Sequence, residues 1–162
     1  MTTRYRLVPP ASGVERLRQV YEAVPDDPTR VADCCAHVQR ETTVGSRETA
    51  REWLAFLQAL GCVADGEQGT YRVEPPDDRG TLGRRFRERV FGVREVLSVL
   101  DGADDPLASD VVYDRLDESL RRRLERVGDG AEYVDRLLAW ATQFGLVSRR
   151  GRGYLLVPES RQ

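Results

Sequence analysis

Residues 53–63 read WLAFLQALGCV, and residues 137–147 read LLAWATQFGLV. The two stretches align without a gap at a spacing of 84 residues, which places Gly61 on Gly145. Each has apolar residues at helical spacing, then a glycine, then a short apolar run. Because glycine readily adopts the left-handed conformation that ends many helices, both stretches predict the end of a helix that leads into a strand.

The similarity extends in both directions and indicates a duplicated unit. Downstream, Tyr71 aligns with Tyr154 if the spacing falls to 83, and upstream the apolar pattern of residues 14–24 recurs 76 residues later. Each copy then predicts three helices followed by a hairpin. The expected fold is mainly α with short β-hairpins, in two tandem domains at residues 1–76 and 77–162.

In the first copy, Ser12 and Ser46 are candidate N-caps of the first and third helices, because a serine hydroxyl can accept a bond from a free backbone N–H. Pro28 suits the first turn of the second helix, which is expected to run to about Arg40. Turn-forming residues around Gly66 predict the hairpin. Its strands are expected near residues 62–64 and 70–74.

The second copy follows a linker at residues 75–80. Apolar residues at a strict three/four spacing predict one long helix over 82–100. Residues 107–127 fit either one bent helix or two shorter ones. The third helix is expected over 131–144, and the hairpin tip lies within 148–153.

The 162-residue chain is 32% charged, and all 25 basic residues are arginine, with no Lys, Asn or Ile. This usage is typical of GC-rich coding, in the style of halophilic archaea or actinobacteria. Missing lysine excludes Schiff-base chemistry and the lysine of a Gly-rich phosphate loop. We expect a cytoplasmic protein with no membrane contact, since no apolar run is long enough for a bilayer or a secretion signal.

The cluster Cys34, Cys35 and His37 is the candidate metal site. A closed zinc site needs four ligands, and His37 is the only histidine, so we interpret the cluster as part of a structural helix. The third cysteine, Cys62, falls on an expected core position. No motif of a nucleotide loop or activated nucleophile is present. We therefore expect no metal, no cofactor and no enzymatic activity.

Both copies resemble winged helix-turn-helix domains. The resemblance rests on the third helix, on the LGCV and FGLV stretches that follow it, and on a glycine-bearing tip with an aromatic second strand. In that family the third helix enters the major groove and the hairpin, or wing, contacts the backbone or the minor groove. The resemblance implies a protein that binds double-stranded DNA, as a regulator of transcription.

Applied to the first copy, the resemblance points to the exposed side of the third helix. Arg47 and Arg51 share that side, and arginine is well shaped for bidentate contact with guanine or phosphate. The alternative is a solvated surface on which Glu48 and Glu52 pair the arginines. The candidate DNA contacts in this copy are Thr43, Ser46, Arg47 and Arg51.

The second copy departs from this pattern. Its equivalent exposed helix positions, Ala131, Glu132, Asp135 and Arg136, would repel phosphate. Its wing instead carries the further candidates Arg149, Arg150 and Arg152 around Gly151, whereas the first wing is acidic, with Asp65 and Glu67. The alternative for this wing is a basic hairpin without a partner. Residues 1–80 hold 10 arginines against 13 acidic residues, and residues 81–162 hold 15 against 14, so any DNA affinity must come from local patches.

The third helices carry extra apolar residues beside their core positions: Trp53, Phe56, Leu137 and Trp140. A helix that is apolar on more than one face needs a second partner. That partner is the other copy in the chain, a second chain in a homodimer, or a different protein. The last option defines the alternative function, a tandem winged-helix scaffold similar to subunits of chromosome-segregation complexes.

Overall fold

The computed structural model describes residues 8–11, 13–26, 47–66, 69–126 and 128–157. In the first copy the described elements are α1 (Val14–Ala23), α2 (Arg47–Ala59), β1 (Val63–Gly66) and β2 (Gly69–Arg72). A linking helix, α3 (Arg79–Arg89), follows. The second copy contains α4 (Val93–Asp101), β3 (Leu107–Ala108), α5 (Ser109–Arg115), α6 (Glu118–Glu125), α7 (Gly130–Gln143), β4 (Val147–Arg150) and β5 (Gly153–Leu156).

The strands form two small antiparallel sheets among the described residues. One is the hairpin of β1 and β2, and the other has the order β3-β5-β4. The predicted fold, mainly α with short hairpin wings, is confirmed. Several predictions lie outside the described residues: the N-caps Ser12 and Ser46, the second helix at 28–40, and the cluster of Cys34, Cys35 and His37.

Helices α2 and α7 end in the same way, as the repeat predicts. Each is followed by a left-handed glycine, with φ of 77° at Gly61 and 76° at Gly145. The residue after each glycine donates its N–H to the carbonyl oxygen five residues earlier, over 2.9 Å in both copies. Each glycine N–H also donates to the carbonyl oxygen three residues earlier, over 3.1 Å at Gly61 and 3.2 Å at Gly145. The two bonds at each helix end form a Schellman motif, which turns each third helix directly into the first strand of its wing.

The spacing of 84 continues through both hairpins without a shift. The outer strand pairs are Val63 with Arg72 and Val147 with Leu156. The alignment of Tyr71 with Tyr154 is therefore wrong, and Thr70 is the structural equivalent of Tyr154. A one-residue slip along a strand reverses the face on which a side chain lies, so matching the two tyrosines misplaced the register.

The prediction of one long helix over residues 82–100 is wrong. Helix α3 ends at Arg89 and α4 begins at Val93, with Gly92 between them at φ 87°. A left-handed residue cannot continue an α-helix. The apolar spacing crosses the break because Val90 and Phe91 stay buried within the turn.

The described part of segment 107–127 contains two shorter helices, α5 and α6, rather than one bent helix. Aspartate carboxylates cap three helices of the second half. Asp117 accepts from the Ser119 N–H over 3.2 Å at α6, and Asp129 caps α7. Asp78, in the predicted linker, caps α3, and hydrogen bonds from Thr81 lower the pKa of its carboxyl.

The predicted core positions of the third helices are buried. Ala50, Leu54 and Leu57 of α2 are sealed from solvent, as is Leu138 of α7. Leu17 and Val20 of α1 are buried too, in the helix that contacts α2. Each third helix therefore has an inner side fixed by its own copy.

Replacing Leu54 or Leu138 by alanine should destabilise the fold by about 2 to 5 kcal/mol each, because each truncation leaves a cavity in a packed core. Chemical denaturation followed by circular dichroism measures the loss. Val73, which is 57% exposed, provides the control, and its alanine variant should change the free energy of unfolding by no more than about 0.5 kcal/mol. A loss well below about 1 kcal/mol at either leucine would contradict this packing.

The left-handed glycines supply a second test. Gly145→Ala should destabilise by about 1 kcal/mol, because alanine is strained at positive φ. Gly61→Ala should cost more, since an added Cβ would lie 2.7 Å from the Arg85 guanidinium and would disturb its bonds to the Leu60 carbonyl and Glu74. Gly102→Ala is the matched control at a helix end with φ of −83°, where alanine fits, so it should be neutral or slightly stabilising. Equal losses at all three positions would contradict the assigned conformations.

Candidate nucleic-acid interface

The exposed side of α2 is short and carries one fully described arginine. Arg51 is solvent-exposed, and Arg47 occupies the first position of the helix, one turn earlier. Thr43 and Ser46 lie outside the described residues. The alternative of a neutralised surface required ion pairs between the arginines and Glu48 or Glu52. Within the described residues, Arg51 forms no ion pair with either glutamate, and Glu52 pairs with Arg136 instead. The Arg51 guanidinium is therefore available to an anionic ligand.

The opposite side of α2 packs against α7 through large aromatic side chains. Phe56 and Trp140 lie with ring centroids 4.7 Å apart, and Trp53 meets Trp140 edge to face at 5.7 Å. Phe144 stacks on Phe56 at 6.4 Å, and Phe86 of α3 closes the cluster against Phe144 at 5.3 Å. The extra aromatic residues of the two third helices, Trp53, Phe56 and Trp140, therefore pack against each other between the two copies of one chain.

An ion pair borders this aromatic cluster. The Arg136 guanidinium lies 3.4 Å from the Glu52 carboxylate and 3.1 Å from Glu132. It also donates to the Val8 carbonyl over 2.8 Å, and the indole N–H of Trp140 donates to the Pro9 carbonyl over 2.8 Å. The prediction that Arg136 is an exposed position was wrong, because its side chain lies within the contact between the copies and is only 25% exposed.

Helix α3 holds the carboxyl end of α2 in place. The Arg85 guanidinium donates to the Leu60 carbonyl over 3.0 Å and pairs with Glu74 at 3.1 Å. Arg89 donates to the Ala59 carbonyl over 3.4 Å. Arginines at a helix C-terminus satisfy free carbonyls and complement the helix dipole. These two arginines are therefore structural.

The second wing presents its arginines to solvent. Arg149, Arg150 and Arg152 are all exposed around the two-residue loop that joins β4 to β5. Gly151, the first loop residue, has φ of 63°, as a type II′ hairpin turn requires. The Arg149 guanidinium lies 5.6 Å from the centroid of the Tyr154 ring, which supports the base of this basic tip.

The remaining exposed positions differ in charge between the copies, as the sequence indicated. On α7, Ala131, Glu132 and Asp135 are exposed. On the first wing Asp65 is exposed and accepts a hydrogen bond from Thr70 at 3.3 Å, whereas Glu67 lies outside the described residues. The candidate DNA contacts that the structure describes thus lie on the third helix of one copy and on the wing of the other.

Sequence reasoning missed the pairing of Glu52 with Arg136. Its signal was present, because the two residues are 84 positions apart and are therefore equivalent in the repeat. Within its own helix, Glu52 has Arg51 as a near charged neighbour, and Arg136 has Glu132, so the local pattern favoured pairs within each helix. A contact between equivalent positions becomes predictable only when the two copies are placed face to face.

Within the described residues, no group of three or more His, Cys, Asp or Glu side chains has the geometry to hold a metal ion. Cys62 is buried, and desolvation raises the pKa of its thiol to about 12. Because metals bind the thiolate, this cysteine is a poor ligand at neutral pH. None of the described helices combines the length and the apolar character that crossing a bilayer demands.

The order of helices and the hairpin after each third helix define a tandem winged-helix protein. A model of the halobacterial double winged helix domain matches residues 3–161, and the chain belongs to this family. The halobacterial family agrees with the halophilic-archaeal style of the composition. No curated protein and no solved structure matches the chain. Membership in a winged-helix family suggests a DNA-binding role.

The Glu52 carboxyl provides a pH test of the contact between the copies. Burial raises its pKa above the ordinary 4.5, and this outweighs the opposing effect of Arg136. The folded state then binds more protons than the unfolded state between the two pKa values, so the contribution of Glu52 to stability falls as pH rises through that window. The free energy of unfolding of Glu52→Gln should therefore increase relative to the parent protein between pH 4 and pH 7.

Paired denaturation series at matched ionic strength measure this difference. A difference that instead decreases with pH would show that the ion pair with Arg136 dominates over burial at this site.

Proposed function

We propose that the chain is a non-enzymatic, cytoplasmic DNA-binding protein that regulates transcription, with domains at residues 1–76 and 77–162. The third helix of the first domain reads bases, with Thr43, Ser46, Arg47 and Arg51 as its contacts. The wing of the second domain holds the phosphate backbone through Arg149, Arg150 and Arg152. The observation that carries the proposal is this wing, on which three exposed arginines surround a two-residue turn.

Local charge supports this division of roles. The chain has a formal net charge of −2, so long-range attraction to DNA is weak and affinity must come from concentrated patches. A hairpin with adjacent guanidinium groups at its tip can contact the backbone without regard to sequence. Arg51, on a rigid helix, has the fixed geometry that base recognition needs.

The alternative of a protein-interaction scaffold was based on extra apolar residues of the third helices, and these residues are not exposed. Trp53, Phe56, Leu137 and Trp140 are all buried, and the contacts described above account for the aromatic ones. Among the described residues, Val73 is the large hydrophobic side chain that remains exposed. A single valine is too small a surface to suggest a protein partner.

The proposal is tested by fluorescence polarisation with duplexes enriched from a random pool, across a salt series. The Arg47→Ala/Arg51→Ala variant should lose sequence preference, because each base contact contributes about 1 to 3 kcal/mol. The variant with Arg149, Arg150 and Arg152 replaced by alanine should bind all duplexes more weakly, with a salt slope reduced by roughly one unit for each lost phosphate contact.

Arg84, Arg122 and Arg126 are exposed arginines elsewhere on the surface, and their alanine variants give a charge-matched control that should change binding much less. All variants should remain folded, since exposed substitutions change stability by no more than about 0.5 kcal/mol. Absence of salt-dependent affinity for any duplex in the parent protein would overturn the proposal.

A further inference from the structure

In two places, a residue of the first copy contacts the residue at the equivalent position of the second copy. Phe56 and Trp140 are 84 positions apart, and their ring centroids lie 4.7 Å apart. Glu52 and Arg136 are also 84 positions apart, and their charged groups lie 3.4 Å apart. A residue meets its own equivalent only near a twofold axis, as in the isologous interface of a homodimer. The two copies are therefore related by an internal pseudo-twofold axis.

The residues at this axis are complementary rather than identical. A symmetric dimer would place two glutamates or two arginines against each other at this partly buried position, and like charges in contact across an interface are unfavourable. Here one copy supplies the carboxylate and the other the guanidinium, and one supplies Phe where the other supplies Trp. The contact thus joins the first copy specifically to the second.

The exposed positions have diverged in charge as well. Arg51 on α2 is the equivalent of Asp135 on α7, and both are exposed. Asp65 on the first wing is the equivalent of Arg149 on the second, again with both exposed. A symmetric winged-helix dimer offers the same helix and wing to each half of a palindromic site. This chain offers the exposed Arg51 of α2 to one part of the site and a basic wing to the other.

We infer that a single chain binds a non-palindromic duplex site in one orientation, with base recognition concentrated in the half that faces α2. The inference rests on the proposed DNA binding and adds the class of site and the stoichiometry. Because α2 and α7 are in direct contact, with the Phe56 and Trp140 ring centroids 4.7 Å apart, the two helices cannot lie in major grooves roughly 34 Å apart. Asp135 keeps α7 from adding a base contact of its own beside α2, because its carboxylate repels phosphate.

The experiment is selection of duplexes from a random pool with the full chain, followed by single-base-pair substitution across the enriched site. Sedimentation of the complex gives the number of chains per duplex. We expect one chain per duplex, a non-palindromic consensus, and substitutions that weaken binding by about fivefold or more in one half only. Arg51→Ala should erase the preference in that half.

Asp135→Arg is the decisive variant, since it gives α7 the charge that α2 carries at the equivalent position. It should raise affinity severalfold and add sequence preference next to the base pairs that α2 reads, while Asp104→Arg, at an exposed position outside the helices, should not. A palindromic consensus, or two chains per duplex, overturns the inference and leaves DNA binding intact. Failure of the parent protein to bind any duplex in a salt-dependent manner overturns the proposed function, and this inference with it.

Discussion

The aromatic contact between Phe56 and Trp140 determines which sides of the third helices remain available. Each helix already commits one side to the core of its own copy, and the aromatic cluster commits a second side to the other copy. What remains exposed is a narrow strip on α2 that includes Arg51, and a matching strip on α7 that includes Asp135. The proposed DNA contacts that the structure describes lie on the α2 strip and on the second wing.

Helix α3 contacts both copies and ties them together. Phe86 inserts beside Phe56 and Phe144, while Arg85 and Arg89 bind the last carbonyls of α2. The helix that links the copies is thus also a part of their contact, and its Asp78 cap fixes where it begins. If the DNA contacts are divided between α2 and the second wing, these two elements need a fixed relative position. A displacement of the helix relative to the wing would change the spacing of the contacts.

The sequence was most informative where one local pattern admitted one structure. The helix, glycine and strand of each copy followed from apolar spacing and the conformational freedom of glycine, and Leu54 and Leu138 are buried as that spacing required. The break at Gly92 was not predictable in the same way, because buried turn residues continued the helical spacing through it. The position of Arg136 depended on a contact with another copy, which no local pattern encodes.

The central claim is that equivalent positions of the two copies contact each other, and a double-mutant cycle on Phe56→Leu and Trp140→Leu measures that contact directly. The account predicts a coupling energy of about 0.5 to 1.5 kcal/mol between the two substitutions, the range of aromatic pairs beyond their buried area. Effects that add to within about 0.3 kcal/mol would mean that the two rings do not interact, and would contradict the pseudo-twofold arrangement of the copies.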